Sequence, residues 1–146
     1  MSPRRGIAAF ACAALLIASA SEMIAPANAL AAHSVGSPEQ IAWVRRAATN
    51  FVSAELAGDG AGVCGILDAP LRASEHGRTC AQRWKAKLAG LLREPGGRRR
   101  LQSQRRAIRS AAVIVDGDTA SIQLSTPLLS GSNRFLFTED CWMLTG

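Results

Sequence analysis

The residues able to do chemistry in this chain are few, and their surroundings narrow what that chemistry is. The stretch LAGDGAGVCGIL (56–67) sets four glycines beside a cysteine and looks at first like a phosphate-cradling loop. A loop of that kind ends in Lys-Ser or Lys-Thr at a helix start, usually after a strand. Here the glycines follow a helical stretch and no lysine comes after. Gly58 instead reads as the C-cap of one helix and Asp59 as the N-cap of the next, with Gly60 and Gly62 permitting a close turn. Carboxylate chemistry is equally constrained. Isomerase-type proton abstraction needs a carboxylate base together with a phenol or protonated acid in an apolar pocket, and the chain has no tyrosine. Asp59, Asp68, Asp116, Asp118, Glu139 and Asp140 fall where capping or turn formation accounts for them. Glu55 is the exception, because the helical wheel sets it beside Val44, Ala48 and Phe51 on the inward stripe. His33 lies in a polar tail and His76 in the loop SEHGR, and neither accompanies a G-x-S-x-G elbow. Two histidines so placed do not complete a four-ligand zinc site, so neither a metal nor a cofactor is implied.

The remaining chemical feature is charge. REPGGRRRLQSQRRAIR (93–109) holds seven arginines and a single acid, Glu94, within a chain of formal net charge +6. One reading is a patch for polyanions carried by Arg98, Arg99, Arg100, Arg105 and Arg106. The other, which the sequence favours, is a solvated turn and strand edge whose arginines discourage edge-to-edge pairing. Nucleic acid is not the expected partner, because no aromatics interleave with the arginines to stack on bases.

Targeting argues the same way. Residues 1–29 have the three-part layout of a secretory leader: Arg4 and Arg5, the apolar run GIAAFACAALLIASA, and a segment ending APANA with small residues at Ala27 and Ala29. Cleavage is expected after Ala29, removing Cys12 with the leader and giving a secreted or cell-envelope protein. The alternative is an uncleaved leader serving as a membrane anchor, but the apolar run is shorter than the roughly 18 residues that span a bilayer. Residues 30–36 read as a flexible tail with nothing to anchor it, and residues 37–146 as one domain without a second apolar span.

The elements that must hold these residues follow from the periodicity. SPEQ places Ser37 at an N-cap, Pro38 at the first helical position and Gln40 at the capping-box position. Ile41, Val44, Ala48, Phe51, Val52 and Leu56 then share one side, with Trp43 opposite. Asp59 caps a short second helix carrying Val63, Cys64, Ile66 and Leu67, and Pro70 opens a polar loop. Thr79 caps a third helix on which Cys80, Trp84, Leu88 and Leu91 share a face, until Glu94, Pro95, Gly96 and Gly97 stop it. From SAAVIVDGDTASIQLS (110–125) the period becomes two, with Asp116 and Gly117 at a hairpin turn. RFLFTEDCWML (134–144) is a second hairpin, with Phe135 and Phe137 on one face and residues 139–141 at its turn. Helices followed by antiparallel strands make an α+β protein.

Taken together, FVSAELAGDGAGVCGIL, RTCAQRW, AAVIVDGDTASIQL and RFLFTEDCWMLTG resemble exported bacterial proteins of the nuclear transport factor two-like superfamily, which includes SnoaL-like cyclases and ketosteroid isomerases. The resemblance runs from about residue 37 to 146 and implies three helices packed on a strongly curved, mainly antiparallel sheet, forming a cystatin-like cone with a cavity at one end. Cys141 departs from it, standing where the family's last hairpin usually carries glycine. The resemblance also implies a Cys64–Cys80 disulfide that staples the second helix to the third, although the sequence alone leaves a Cys80–Cys141 pairing open. Cys141 is then an odd thiol: a buried passive residue, a link to a second copy in a homodimer, or a reactive thiol. Phe51, Trp84, Phe135, Phe137 and Trp142 are candidate cavity-lining residues. The expected function is a non-catalytic exported domain that binds a small apolar ligand or a protein partner. The alternatives are a SnoaL-like enzyme using Glu55 or His76, and a basic module for anionic cell-envelope components.

Overall fold

A computed structural model describes residues 34–73, 77–129, 131–138 and 140–146. The expected leader (residues 1–29), His33, His76 and Glu139 lie outside the described residues. Each of the first four helices begins where a side chain satisfies the first free backbone N–H groups. Helix α1 (Pro38–Ala57) starts at Ser37 in a full capping box: the Ser37 hydroxyl accepts from the Gln40 N–H, and Gln40 Oε1 accepts from the Ser37 N–H. It ends at Gly58, whose φ of 69° is open to glycine at little cost. The Asp59 carboxylate accepts from the Gly62 N–H and starts α2 (Gly60–Cys64), and Asp68 does the same for α3 (Ala69–Arg72) through the Leu71 N–H. Thr79 and Gln82 form a second capping box at α4 (Cys80–Arg93).

Residues 97–108 differ from the sequence expectation. They form a fifth helix, α5 (Gly97–Ile108), where the charge run suggested a solvated turn and strand edge. Arginine is a good helix former, and Gly97, Leu101, Gln104 and Ile108, spaced by four, three and four, are all buried. The described residues therefore carry five helices, not three, with α2 and α3 only about one turn each.

The sheet is a four-stranded antiparallel meander in the order β1 (Val113–Asp116), β2 (Thr119–Ile122), β3 (Arg134–Thr138), β4 (Cys141–Thr145). Val113 pairs with Ile122, Ala120 with Phe135, and Phe135 with Leu144, which fixes Val113, Val115, Ala120, Ile122, Phe135, Trp142 and Leu144 as the buried face. The sheet is open. Its two edges are covered by single parallel bridges, Val35 beside Ile114 on β1 and Leu67 beside Leu144 on β4. Thus Ser34 and Val35, which the sequence put in an unanchored tail, are tied down: the Val35 N–H donates to the Val113 carbonyl at 2.9 Å, and Ser34 Oγ accepts from the Val113 N–H at 3.1 Å.

The core lies between this face and the helices. Val44, Ala48, Phe51 and Val52 of α1 meet Trp84 and Leu88 of α4 and Leu101 and Ile108 of α5. Phe51 and Trp84 pack edge to face, with ring centroids 5.8 Å apart. Trp43, on the far side of α1, is 41% exposed. Cys64 and Cys80 are joined, with a Cα–Cα distance of 6.1 Å, and the bond fastens α2 to α4. Gly60 allows that approach, since a Cβ there would stand 2.5 Å from the Ala81 carbonyl oxygen and 2.7 Å from the Lys85 nitrogen. Cys141 is also disulfide-bonded in the full chain.

Candidate functional site

The α5 backbone sorts the arginine run into an inward apolar seam and an outward cationic face. With Leu101, Gln104 and Ile108 buried, Arg98, Arg99, Arg100, Arg105, Arg106 and the capping Arg109 are all exposed. Gln104 then builds a groove. Its side chain is 8% exposed, and Nε2 donates to the carbonyls of Thr126 at 3.2 Å and Pro127 at 3.0 Å, clamping the segment after β2 alongside the helix. The groove between them has a volume of about 460 Å³, and Arg99, Arg100, Ser103, Arg106, Ser125 and Thr126 line it.

The five arginines of the expected patch therefore have different roles. Arg99, Arg100 and Arg106 share the groove. Arg98 reaches back to α1, where Nη1 donates to the Leu56 carbonyl at 3.3 Å, and Arg105 is exposed elsewhere on the helix. Arg100 also meets Glu94 at 3.3 Å, in an exposed pair of little strength. Guanidinium groups present planar forks of donors that match phosphate and carboxylate oxygens, and Ser103, Ser125 and Thr126, residues with neutral hydroxyl donors, line the same space. Sequence reasoning missed those hydroxyls and Gln104. The signal for Gln104 was its place on the four-three-four seam beneath the arginines.

Glu55 is 5% exposed and lies within the fields of Lys87 on α4 and Arg100 on α5. Removal from water outweighs the opposing pull of the two cations, so its carboxyl is raised from 4.5 to about 7. Glu55 is not among the residues that line this groove or the smaller cavity described next. Among the described residues no cluster of three His, Cys, Asp or Glu side chains is placed to hold a metal ion.

The five aromatic candidates differ in burial. Phe51 and Phe135 are fully buried and Trp142 nearly so; Phe137, 37% exposed, lies near the end of β3 with its ring 5.2 Å from that of Trp142. Trp84 alone of the five lines a described cavity, one of about 200 Å³ shared with Leu67, Leu71, Arg83, Lys87 and Leu129. Among the described residues no helix is long and apolar enough to cross a membrane.

No protein-family model, curated protein or solved structure matches this chain.

Proposed function

We propose that this chain is an exported, non-catalytic binding domain that engages phosphate-bearing anionic components of the cell envelope through the α5 groove. The observation that carries the reading is the convergence of Arg99, Arg100 and Arg106 on one groove with the hydroxyls of Ser103, Ser125 and Thr126. Three cations around a concave space raise the local concentration of anions, and bidentate guanidinium contacts add geometry to that attraction. Export is supported by the leader-like layout of residues 1–29 and by the Cys64–Cys80 disulfide, a bond that persists in oxidising compartments. Binding without turnover is supported by the groove lining, whose charged groups are all arginines.

The fold reading that goes with this proposal is an open relative of the nuclear transport factor two-like cone. The order of helices before an antiparallel meander supports it, as does the disulfide at the spacing that the resemblance implied.

Titration with inorganic phosphate, followed by amide NMR, tests the proposal. Saturable shifts are expected at residues 99–106 and 125–126, and lost when Arg99, Arg100 and Arg106 are changed to Gln. Shifts spread evenly over all exposed arginines, or unchanged in that variant, refute a site in the groove.

A further inference from the structure

The smaller cavity has a chemistry distinct from that of the groove. Leu67, just after α2, Leu71 of α3, Trp84 of α4 and Leu129 supply its apolar lining. Leu67 is 1% exposed and Trp84 9%, so both are fixed by the core behind them. Their rigidity gives the cavity a preformed apolar surface.

Two cations stand at its edge, and they differ in their commitments. Arg83 is held to the wall, with Nη2 donating to the carbonyls of Leu71 and Ala73. Lys87 is exposed, and its Nζ rests 4.3 Å from the centroid of the Trp84 ring. That contact is a weak tether at an exposed site, which leaves the ammonium able to turn towards an anion. Of the buried acids near the cavity, Glu55 lies within the field of Lys87, and Asp68 is already satisfied: its carboxylate accepts from the Leu71 N–H at 3.2 Å and from Thr145 Oγ1 at 2.6 Å.

Size and charge together select a ligand class. A dry apolar cavity of about 150 Å³ holds a benzene ring, so about 200 Å³ takes one ring or a short branched chain plus a small head group. The space is below the range of roughly 300 Å³ and more that accepts drug-sized molecules. We propose that this cavity binds a small apolar monocarboxylate, with its hydrocarbon part lying on Trp84 between Leu67, Leu71 and Leu129 and its carboxylate paired with Lys87 Nζ. The head group stays at the open edge, where Lys87 meets it without burying an unpaired charge. The site is separate from the α5 groove and does not rest on the function assigned to it.

Phenylacetate is a suitable probe, and its neutral isostere phenylacetamide the control, each titrated into the protein while the leucine methyl and tryptophan indole NMR signals are recorded. Phenylacetate should shift Leu67, Leu71, Leu129 and Trp84 saturably. Phenylacetamide, or phenylacetate with the Lys87→Met variant, should bind about tenfold more weakly, the loss typical of one charge-assisted contact. Leu71→Trp, at a half-buried position, should fill the cavity and abolish the shifts while leaving the rest of the spectrum intact. The Arg99, Arg100 and Arg106 to Gln variant should bind phenylacetate like the parent, which separates this site from the groove. Equal affinity for acid and amide, an unaffected Lys87→Met variant, or no saturable shift at the four residues overturns the proposal.

Discussion

Replacing Glu55 by glutamine should change the pH dependence of stability more than its level in acid. The native carboxyl keeps its proton up to about pH 7, while the unfolded one releases it near 4.5. Between those values the folded chain binds more protons than the unfolded chain, so stability is full below about pH 4.5, falls as the pH rises, and levels off above about 7. A gap of that width corresponds to about 3 kcal/mol, the cost of ionising a carboxyl that burial has removed from water and that Lys87 and Arg100 only partly compensate. A glutamine side chain has nearly the same shape as the glutamic acid and never ionises. The Glu55→Gln protein should therefore match the parent at about pH 4.5 and exceed it at about pH 8 by about 3 kcal/mol, a shift in melting temperature on the order of 10 °C for a domain of this size. Urea denaturation followed by tryptophan fluorescence at about pH 4.5, 6 and 8 measures this directly. A variant less stable than the parent at the highest of these would mean that Glu55 is held as an ion pair by Lys87 and Arg100. That outcome refutes the argument that burial dominates.

Two further substitutions test the corner between α2 and α4. Changing Cys64 and Cys80 together to Ser opens a loop with a sequence separation of 16 and should cost about 3 kcal/mol in urea denaturation; an unchanged midpoint would show that the helices hold the corner without the bond. Gly60→Ala drives a Cβ into the α4 backbone at Ala81 and Lys85, and a loss of about 1 to 3 kcal/mol is expected from calorimetry. A neutral effect would mean that α2 and α4 separate freely.

Much of the scaffold is readable where local chemistry decides it. The capping boxes at Ser37 and Thr79, the left-handed Gly58 and the turn at Asp116 and Gly117 are signals a few residues long, and each sits at the boundary it marks. The inward stripe of α1 is readable for the same reason, down to the burial of Glu55 and the exposure of Trp43. Other features depend on partners far away in the chain. The bridges of Val35 to Ile114 and of Leu67 to Leu144 join residues distant in sequence, and nothing local announces them. Helix α5 was hidden by its own charge: seven arginines drew attention from Leu101, Gln104 and Ile108, whose spacing is helical. Its groove needs the segment at Ser125 and Thr126, which only the folded chain brings alongside. The aromatic candidates show the reverse case, since sequence marks an apolar ring as buried but not as lining a cavity; Trp84 lines the smaller cavity, while Phe51 and Phe135 are fully buried.

The central claim is that anion recognition belongs to the α5 groove and not to positive charge in general. Two variants of equal net charge separate these ideas: Arg99, Arg100 and Arg106 to Gln in the groove, and Arg46, Arg72 and Arg134 to Gln at exposed positions on α1, α3 and β3. The measurement is the salt concentration at which each elutes from phosphocellulose at neutral pH, where long-range surface attraction is screened within about 8 to 10 Å at physiological ionic strength. The account predicts a large drop for the groove variant and a small one for the control. Equal elution of the two variants would contradict it.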